Sequence, residues 1–484
     1  MHDKHSRRLM VSAAALMVAF SVTGCGSSSD NNTNMSNKPA NAADANKNAN
    51  SGGNTGNAAA NATTDTETPP AENAADLKGE TIKIGVWWDG ADPRAKEEKD
   101  RTPADDEQIA LIEAAEKKYN GKVEFVKFGD YGKYVENLTT TSLAGDPFAD
   151  VVVLELFWAF PSLVNKNFIL PIDDMLDLSD PKYISWMKNG GSYQGKQYGF
   201  IDSPPSPYGI FYNKKLVQEM GLEDPYTLQK NGTWTWDKFR ELAKAATKDT
   251  NGDGKTDVFG FIGDMKTSTE QFVYGNKGSF DKDESGNMKF SMNSANSIQG
   301  LQLVADMYNV DKSILQPAPT DGNDKAFIAG KSVLYGGFSW ELDGLKTNMK
   351  DTELGYVFFP KAPNATDYTS YTPYGNMYMV SKYSKHPEIA MKIMDEISLH
   401  GKNKELAIES WKNAFTPDAL DTRTQMYDKI DYSGSFIAIP DADKLVDGVL
   451  KDITEGKVAP ATAVEKIKNQ FEAGISKLQA EESK

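Results

Sequence analysis

Three observations make this sequence predict an α/β fold built on a parallel sheet. First, the short runs "TIKIGVWW", "KVEFVKF" and "ADVVVLEL" are rich in β-branched and aromatic residues, and they alternate with two segments of helical character. A strand–helix–strand–helix–strand order assembles parallel sheets through right-handed crossovers. Second, the helix signals sit where that order needs them: Thr102 as N-cap, Pro103 at the first helical position and Asp105 placed for a capping box. Third, roughly 400 residues remain behind a polar N-terminal stretch, enough for two or three cores without disulfides. Cys25 is the only cysteine, so no internal disulfide is available.

Taken in order, the chain opens with Lys4, Arg7 and Arg8, then an apolar run from Leu9 to Val22, then the small residues Thr23 and Gly24 before Cys25. A basic start, a short apolar region and a small-residue site form a secretory signal, and the run is too short to span a bilayer comfortably. Val22-Thr23-Gly24-Cys25 resembles the lipobox of bacterial lipoproteins, although leucine is commoner at the Val22 place. The resemblance implies cleavage after residue 24 and lipid attachment to Cys25; an ordinary secretory signal is the alternative. Residues 25–76 are dominated by Asn, Ala, Ser, Gly and Thr. Such a composition cannot offset its ordering entropy and predicts a disordered tether of root-mean-square span about 40 Å.

The first strand then begins near Thr81, with Ile109, Ile112 and Tyr119 on one side of the helix that follows. "YVENLTTTSLAG" is a second helix. From Tyr208 onward the pattern contains more helix, including "WTWDKFRELAKAATK" and "NSANSIQGLQLVADMYN", with "KSVLYGG" as a strand. The C-terminal helix carries Val464, Ile467, Phe471, Ile475 and Leu478 at three- and four-residue spacing, a single buried stripe. A formal charge of -16 argues against a nucleic-acid partner and favours a self-repelling monomer.

The stretch "YQGKQYGFIDSPPSPYGIFYNKKLVQEMGL" resembles a recurrent segment of extracellular solute-binding proteins of ABC importers, the carbohydrate-binding family. It carries the likeness in Gly195-Lys196, Tyr198-Gly199, Tyr212-Asn213-Lys214 and Gly221-Leu222, and Trp236-Asp237 continues it. "AFIAGKSVLYGGFSWELDGL", "LGYVFFPKAP" and "MVSKYSKHPEIAMKIMDEIS" match later patterns of that family in the right order. The resemblance implies a two-lobed, periplasmic-binding-protein-like α/β fold of the class II type with the ligand cleft between lobes. It places 77–201 plus 354–412 in the first lobe and 205–352 plus 413–484 in the second. It also implies a lipid-anchored receptor at the extracellular face of a Gram-positive-like cell membrane, delivering a sugar to ABC permease transmembrane subunits. A periplasmic setting remains open.

A pyranose has apolar C–H faces and a rim of hydroxyls, so aromatic platforms edged by polar groups suit it. In α/β sheets ligands sit beyond the carboxyl ends of strands. That rule selects Trp87, Trp88 and Asp89 after the first strand, Tyr131 after the second, and Glu155 with Trp158 after the third. Strand alternation predicts that one of Trp87 and Trp88 faces the core. The resemblance adds Trp340 and Glu341, at the family's stacking tryptophan, and Asp202, Tyr208, Tyr374 and Asn376 in cleft or hinge segments. Packing is the alternative for Tyr131 and Trp158, and solvated loop charge for Asp89 and Glu155.

"DTNGDGKTDVFGF" places Asp249, Asn251, Asp253, Lys255 and Asp257 at the spacing of a calcium loop, but Gly260 stands where a bidentate glutamate belongs. A structural calcium ion and a metal-free Asx-rich turn are both compatible with it. No other cofactor is required. Catalytic chemistry finds little material. "GGSYQGKQ" mimics a phosphate loop but has Gln197 in place of Ser/Thr. His386 and His400, expected on the surface, are the only histidines behind the leader, so no triad or zinc cluster assembles. The chain therefore reads as a non-enzyme. A glycoside hydrolase, which needs only two carboxylates, and a polysaccharide-binding adhesin are the alternatives.

Overall fold

The computed structural model describes residues 75–482 apart from 203–205, 286 and 316–321. Cys25, the leader 1–24 and all but the last two residues of the 25–76 tether lie outside the described residues. In chain order the elements that matter are β1 (Thr81–Val86), α1 (Pro103–Lys118), β2 (Lys122–Lys127), α2 (Tyr131–Ala144), β3 (Val151–Leu154) and β4 (Gly199–Phe200). There follow β5 (Tyr208–Asn213), α3 (Trp236–Ala246), β6 (Phe259–Gly263), α4 (Met265–Gly275), α5 (Ala295–Asn309), β7 (Ser332–Phe338), β8 (Leu354–Val357) and β9 (Ser370–Thr372). The chain ends with β10 (Met377–Val380), α6 (Pro387–Glu396), α7 (Asn403–Trp411), α8 (Pro417–Asp428), β11 (Ile430–Tyr432), α9 (Ala442–Thr454) and α10 (Pro460–Glu482).

The first sheet runs β2-β1-β3-β10-β4. The first three strands are parallel, with Ile84 opposite both Phe125 and Val151, and β10 is antiparallel to β3. All four residues of β3 are fully buried, as a central strand covered on both faces requires. The predicted start of α1 is realised in full. The Asp105 N–H donates to Thr102 Oγ1 at 3.2 Å, and the Thr102 N–H donates to Asp105 Oδ2 at 2.8 Å. Two orphan donors of the helix terminus are thereby satisfied, at about 1 kcal/mol for the cap residue.

The second sheet runs β8-β5-β7-β6. Trp234 and Trp236 pack in its core, as helix-start packing predicts, and Trp234 Nε1 donates to the Phe358 carbonyl at 2.8 Å. The stripe on α10 is buried against α9 and α5 in a third apolar cluster. The lobe boundary expected at residue 354 moves. β8 pairs antiparallel with β5, Tyr356 opposite Phe211, so this segment completes the second sheet rather than opening the return to the first. Helix α8 serves both cores: Ala419 and Met426 enter the second, Tyr427 the first.

Between the sheets β9 and β11 run parallel, Tyr371 opposite Asp431. The second lobe grips this ribbon through α4: Gln271 bonds both the N–H and the carbonyl of Tyr371, and Ser433 Oγ donates to buried Glu270 at 2.7 Å. His400 corrects the surface expectation. A turn at positive φ folds it back under α6, where it is 9% exposed, packs on Tyr183 and Phe200, and bonds Asp395. No helix among the described residues is long and apolar enough to cross a membrane.

Candidate ligand cleft

The first lobe contributes a group of rings at the carboxyl ends of β1, β2 and β3. β1 ends at Val86, so Trp87 and Trp88 both lie beyond it and both are half-buried. Alternation therefore does not send one of them into the core, because it holds only while the backbone stays extended. The Trp87 ring meets Trp88, Tyr134 and Trp158 edge-on, at centroid distances of 5.0, 5.3 and 5.1 Å. Tyr131, the first residue of α2, tilts against Trp158 at 4.5 Å and stays 43% exposed. Asp89 is not part of this group: it is solvent-exposed and pairs with Lys127 at 2.8 Å.

The second lobe contributes a platform at the end of β7. Trp340 stacks on Phe338 at 4.1 Å with planes 10° apart and remains 55% exposed. Tyr374, in the segment from β9 to β10, lies 5.4 Å from Phe338 and 5.9 Å from Trp340. Five large apolar side chains are markedly exposed among the described residues, and Tyr131, Trp340 and Tyr374 are three of them. Exposing a ring forgoes the free energy of burial, so a concentration of them marks a surface kept for a ligand.

Glu155 lies between the two groups. It follows β3, is 4% exposed, and its Oε2 accepts the Gly375 N–H at 2.8 Å. Burial pushes its pKa up to about 7, tempered by that single N–H. The Tyr131 phenol is raised by burial and then by the charges of Glu155 and Tyr374, which places groups from both lobes within electrostatic reach of one another.

Four further expected residues stand differently. Glu341 is turned under the platform, where it accepts the Phe338 N–H at 2.7 Å and the Tyr335 hydroxyl, so it holds the turn that presents Trp340. Burial raises its pKa, with those two donors working against the rise. Tyr208 is a core residue, 1% exposed, whose hydroxyl donates to the Gly336 carbonyl at 2.8 Å. Asn376 is exposed beside the crossing ribbon. Asp202 is buried and lines a separate cavity whose walls include none of these rings. Phe338 and Gly375 were missed from the sequence. Phe338 carried a signal, two residues before an exposed tryptophan at the end of a buried strand.

The loop 249–257 is closed by its own side chains. Asp249 accepts the N–H groups of Asn251, Gly252 and Gly254, Asp253 accepts that of Lys255, and Asp257 accepts from Thr250 and Asn251. These are Asx turns, one of the two arrangements the spacing allows. Among the described residues no group of three His, Cys, Asp or Glu is placed to hold a metal ion.

Comparison with known proteins decides the family. The profile of bacterial extracellular solute-binding proteins matches residues 102–402. The chain belongs to that family. No curated protein sequence matches it. Among solved structures of the same fold, a cyclo/maltodextrin-binding protein complexed with maltotetraose superposes with a TM-score of 0.63 at 19% identity, covering 82% of this chain and 98% of that one. An ABC substrate-binding protein from Listeria monocytogenes in complex with cycloalternan gives 0.58 at 18%, covering 82% and 99%. A Mycobacterium tuberculosis protein in complex with glycerophosphocholine, UgpB, gives 0.58 at 14%, covering 82% and 98%. Family members are extracellular and bind solutes in a two-lobed body, and the geometry here is that body.

Proposed function

We propose that this protein captures a carbohydrate, an oligosaccharide in particular, and hands it to the transmembrane subunits of an ABC permease at the outer face of the cell membrane. The observation that carries the reading is the pairing of exposed rings from both lobes, Tyr131 beside Trp158 and Trp340 beside Tyr374, around Glu155. Flat rings cover the C–H faces of a sugar at little entropic cost, while the polar groups between them fix its orientation. The relatives holding maltotetraose and cycloalternan support a sugar; the one holding glycerophosphocholine makes the rings, rather than the fold, the basis of the choice.

A ligand touched by both lobes binds the closed arrangement better, and only that differential affinity can draw the lobes together. The permease would then read the closed form. Anchoring belongs to the same proposal: cleavage after residue 24, lipid on Cys25, and residues 25–76 as a tether that leaves a monomeric body free to reach the permease. Replacement of Cys25 by serine should release the protein into the medium.

No catalytic step is assigned. Glu155 accepts one N–H, that of Gly375, through Oε2, and Glu341 spends both oxygens on the Phe338 N–H and the Tyr335 hydroxyl. Titration calorimetry over a panel of mono- and oligosaccharides, with parallel assay for new reducing ends, tests the reading. Saturable binding without new ends supports it. Release of reducing ends that is lost in Glu155→Gln would make the protein a hydrolase, and no binding across the panel would remove the sugar.

A further inference from the structure

Arg423, on α8, is a buried cation with no ion-pair partner among the described residues. It is 3% exposed, and its Nε and Nη1 have no hydrogen-bond partner. Its guanidinium carbon lies over the Trp411 ring, 3.7 Å from the centroid. A cation–π contact of that kind returns only part of the cost of removing a charge from water. Burial pulls the Arg423 pKa down to about 10, against the opposing influence of the nearby Tyr356 and Tyr427 hydroxyls. The Tyr427 hydroxyl is itself buried without a partner. A guanidinium carries five N–H donors in a fixed fork, so what is missing here is an acceptor of negative charge.

The space for one is present. Arg423 lines a cavity of about 370 Å³ between α1, α7 and α8. Its other walls include Thr102, Gln108, Ser410 and Trp411; the Thr102 and Ser410 hydroxyls donate to Asp105 Oδ2 and the Ala407 carbonyl, so the Gln108 amide is the neutral donor left to bond an anion. Asp202 also borders the cavity and takes part in an interaction of its own. The rings of the ligand cleft do not line this cavity.

We propose that this cavity is a second binding site, selective for a small oxyanion such as a carboxylate or phosphate group, in which the Arg423 guanidinium supplies the charge and the Gln108 amide a further donor. The site bridges α7 and α8, and α8 is the helix shared by both cores, so the bound anion fastens the two lobes' packing beside the crossing segment at Asp202. It does not depend on the cleft taking a sugar.

The test measures thermal stability and calorimetric binding with inorganic phosphate and with acetate, each against chloride at equal ionic strength. Wild-type protein is expected to show saturable heat and a melting temperature raised by about 2 °C or more, as occupancy of a native-state site requires. Arg423→Met should fold, because it removes an unpaired buried charge and keeps the stem's volume, and it should lose the shift entirely. Arg423→Lys, which keeps the charge but loses the fork, should bind more weakly. Equal shifts in wild type and Arg423→Met would overturn the site. So would an Asp202→Asn variant destabilised as much as Arg423→Met and non-additively with it, since Arg423 would then already own a counter-ion.

Discussion

Glu155→Gln is the substitution whose effect the structure fixes most tightly. The glutamine keeps an acceptor for the Gly375 N–H and the side chain's volume, but it cannot ionise. In the folded wild type the carboxyl titrates at about 7, against 4.5 for an unburied glutamate. Between those pH values the folded chain holds a proton that the unfolded chain has lost, so unfolding becomes easier as pH rises. The stabilisation is complete below 4.5 and gone once pH has passed about 7. Its size is about 3 kcal/mol, from the proton affinity that separates 4.5 from 7.

The glutamine variant lacks this dependence, and every other titrating group is common to both proteins. The stability of wild type minus that of Glu155→Gln should therefore fall by about 3 kcal/mol between pH 4.5 and pH 8. For roughly 400 ordered residues this is about 4 °C in melting temperature. Differential scanning calorimetry of both proteins at pH 4.5, 6 and 8 reads it directly. A difference that stays constant within about 1 °C, or a glutamine variant that loses ground at pH 8, refutes the claim that burial governs this carboxyl.

Glu270→Gln should behave alike over a wider window, from 4.5 up to about 8, because burial outweighs the Ser433 hydroxyl that opposes it; the same calorimetry applies. Trp340→Ala should weaken ligand binding by roughly tenfold or more, about 1–2 kcal/mol of stacking, with little change in melting temperature because the ring is already half in water. Gly260→Ala should cost several kcal/mol in urea unfolding, since its Cβ would stand 2.0 Å from the Ala243 carbonyl oxygen of α3. Gly344→Ala, with nothing within 4 Å, should instead gain about 0.5–1 kcal/mol. Chelator treatment should leave the melting temperature within about 1 °C, because backbone N–H groups already occupy Asp249, Asp253 and Asp257; a rise with calcium that Asp253→Ala abolishes would restore the metal reading.

What the sequence disclosed and what it withheld divide along the range of the forces involved. The capping box at Thr102, the buried run of β3 and the stripe on α10 depend on neighbours within a few positions, and each stands where the pattern put it. Trp340 was legible for another reason, the family resemblance, which places a stacking tryptophan there. Glu341 beside it was not. Whether a carboxylate at a loop start faces a ligand or turns inward is decided by Tyr335 and the Phe338 N–H, and adjacency does not reveal that those donors point toward it. The same distinction explains residue 354, where "LGYV" announces a strand but only pairing with Tyr208–Asn213, some 140 positions earlier, says to which sheet it belongs. Arg423 is the extreme case. Its character comes from Trp411 and Tyr356, contributed by two separate elements distant in sequence. Glu155, Glu270 and Arg423, each defined by long-range surroundings, are all strongly perturbed in their proton affinity by burial.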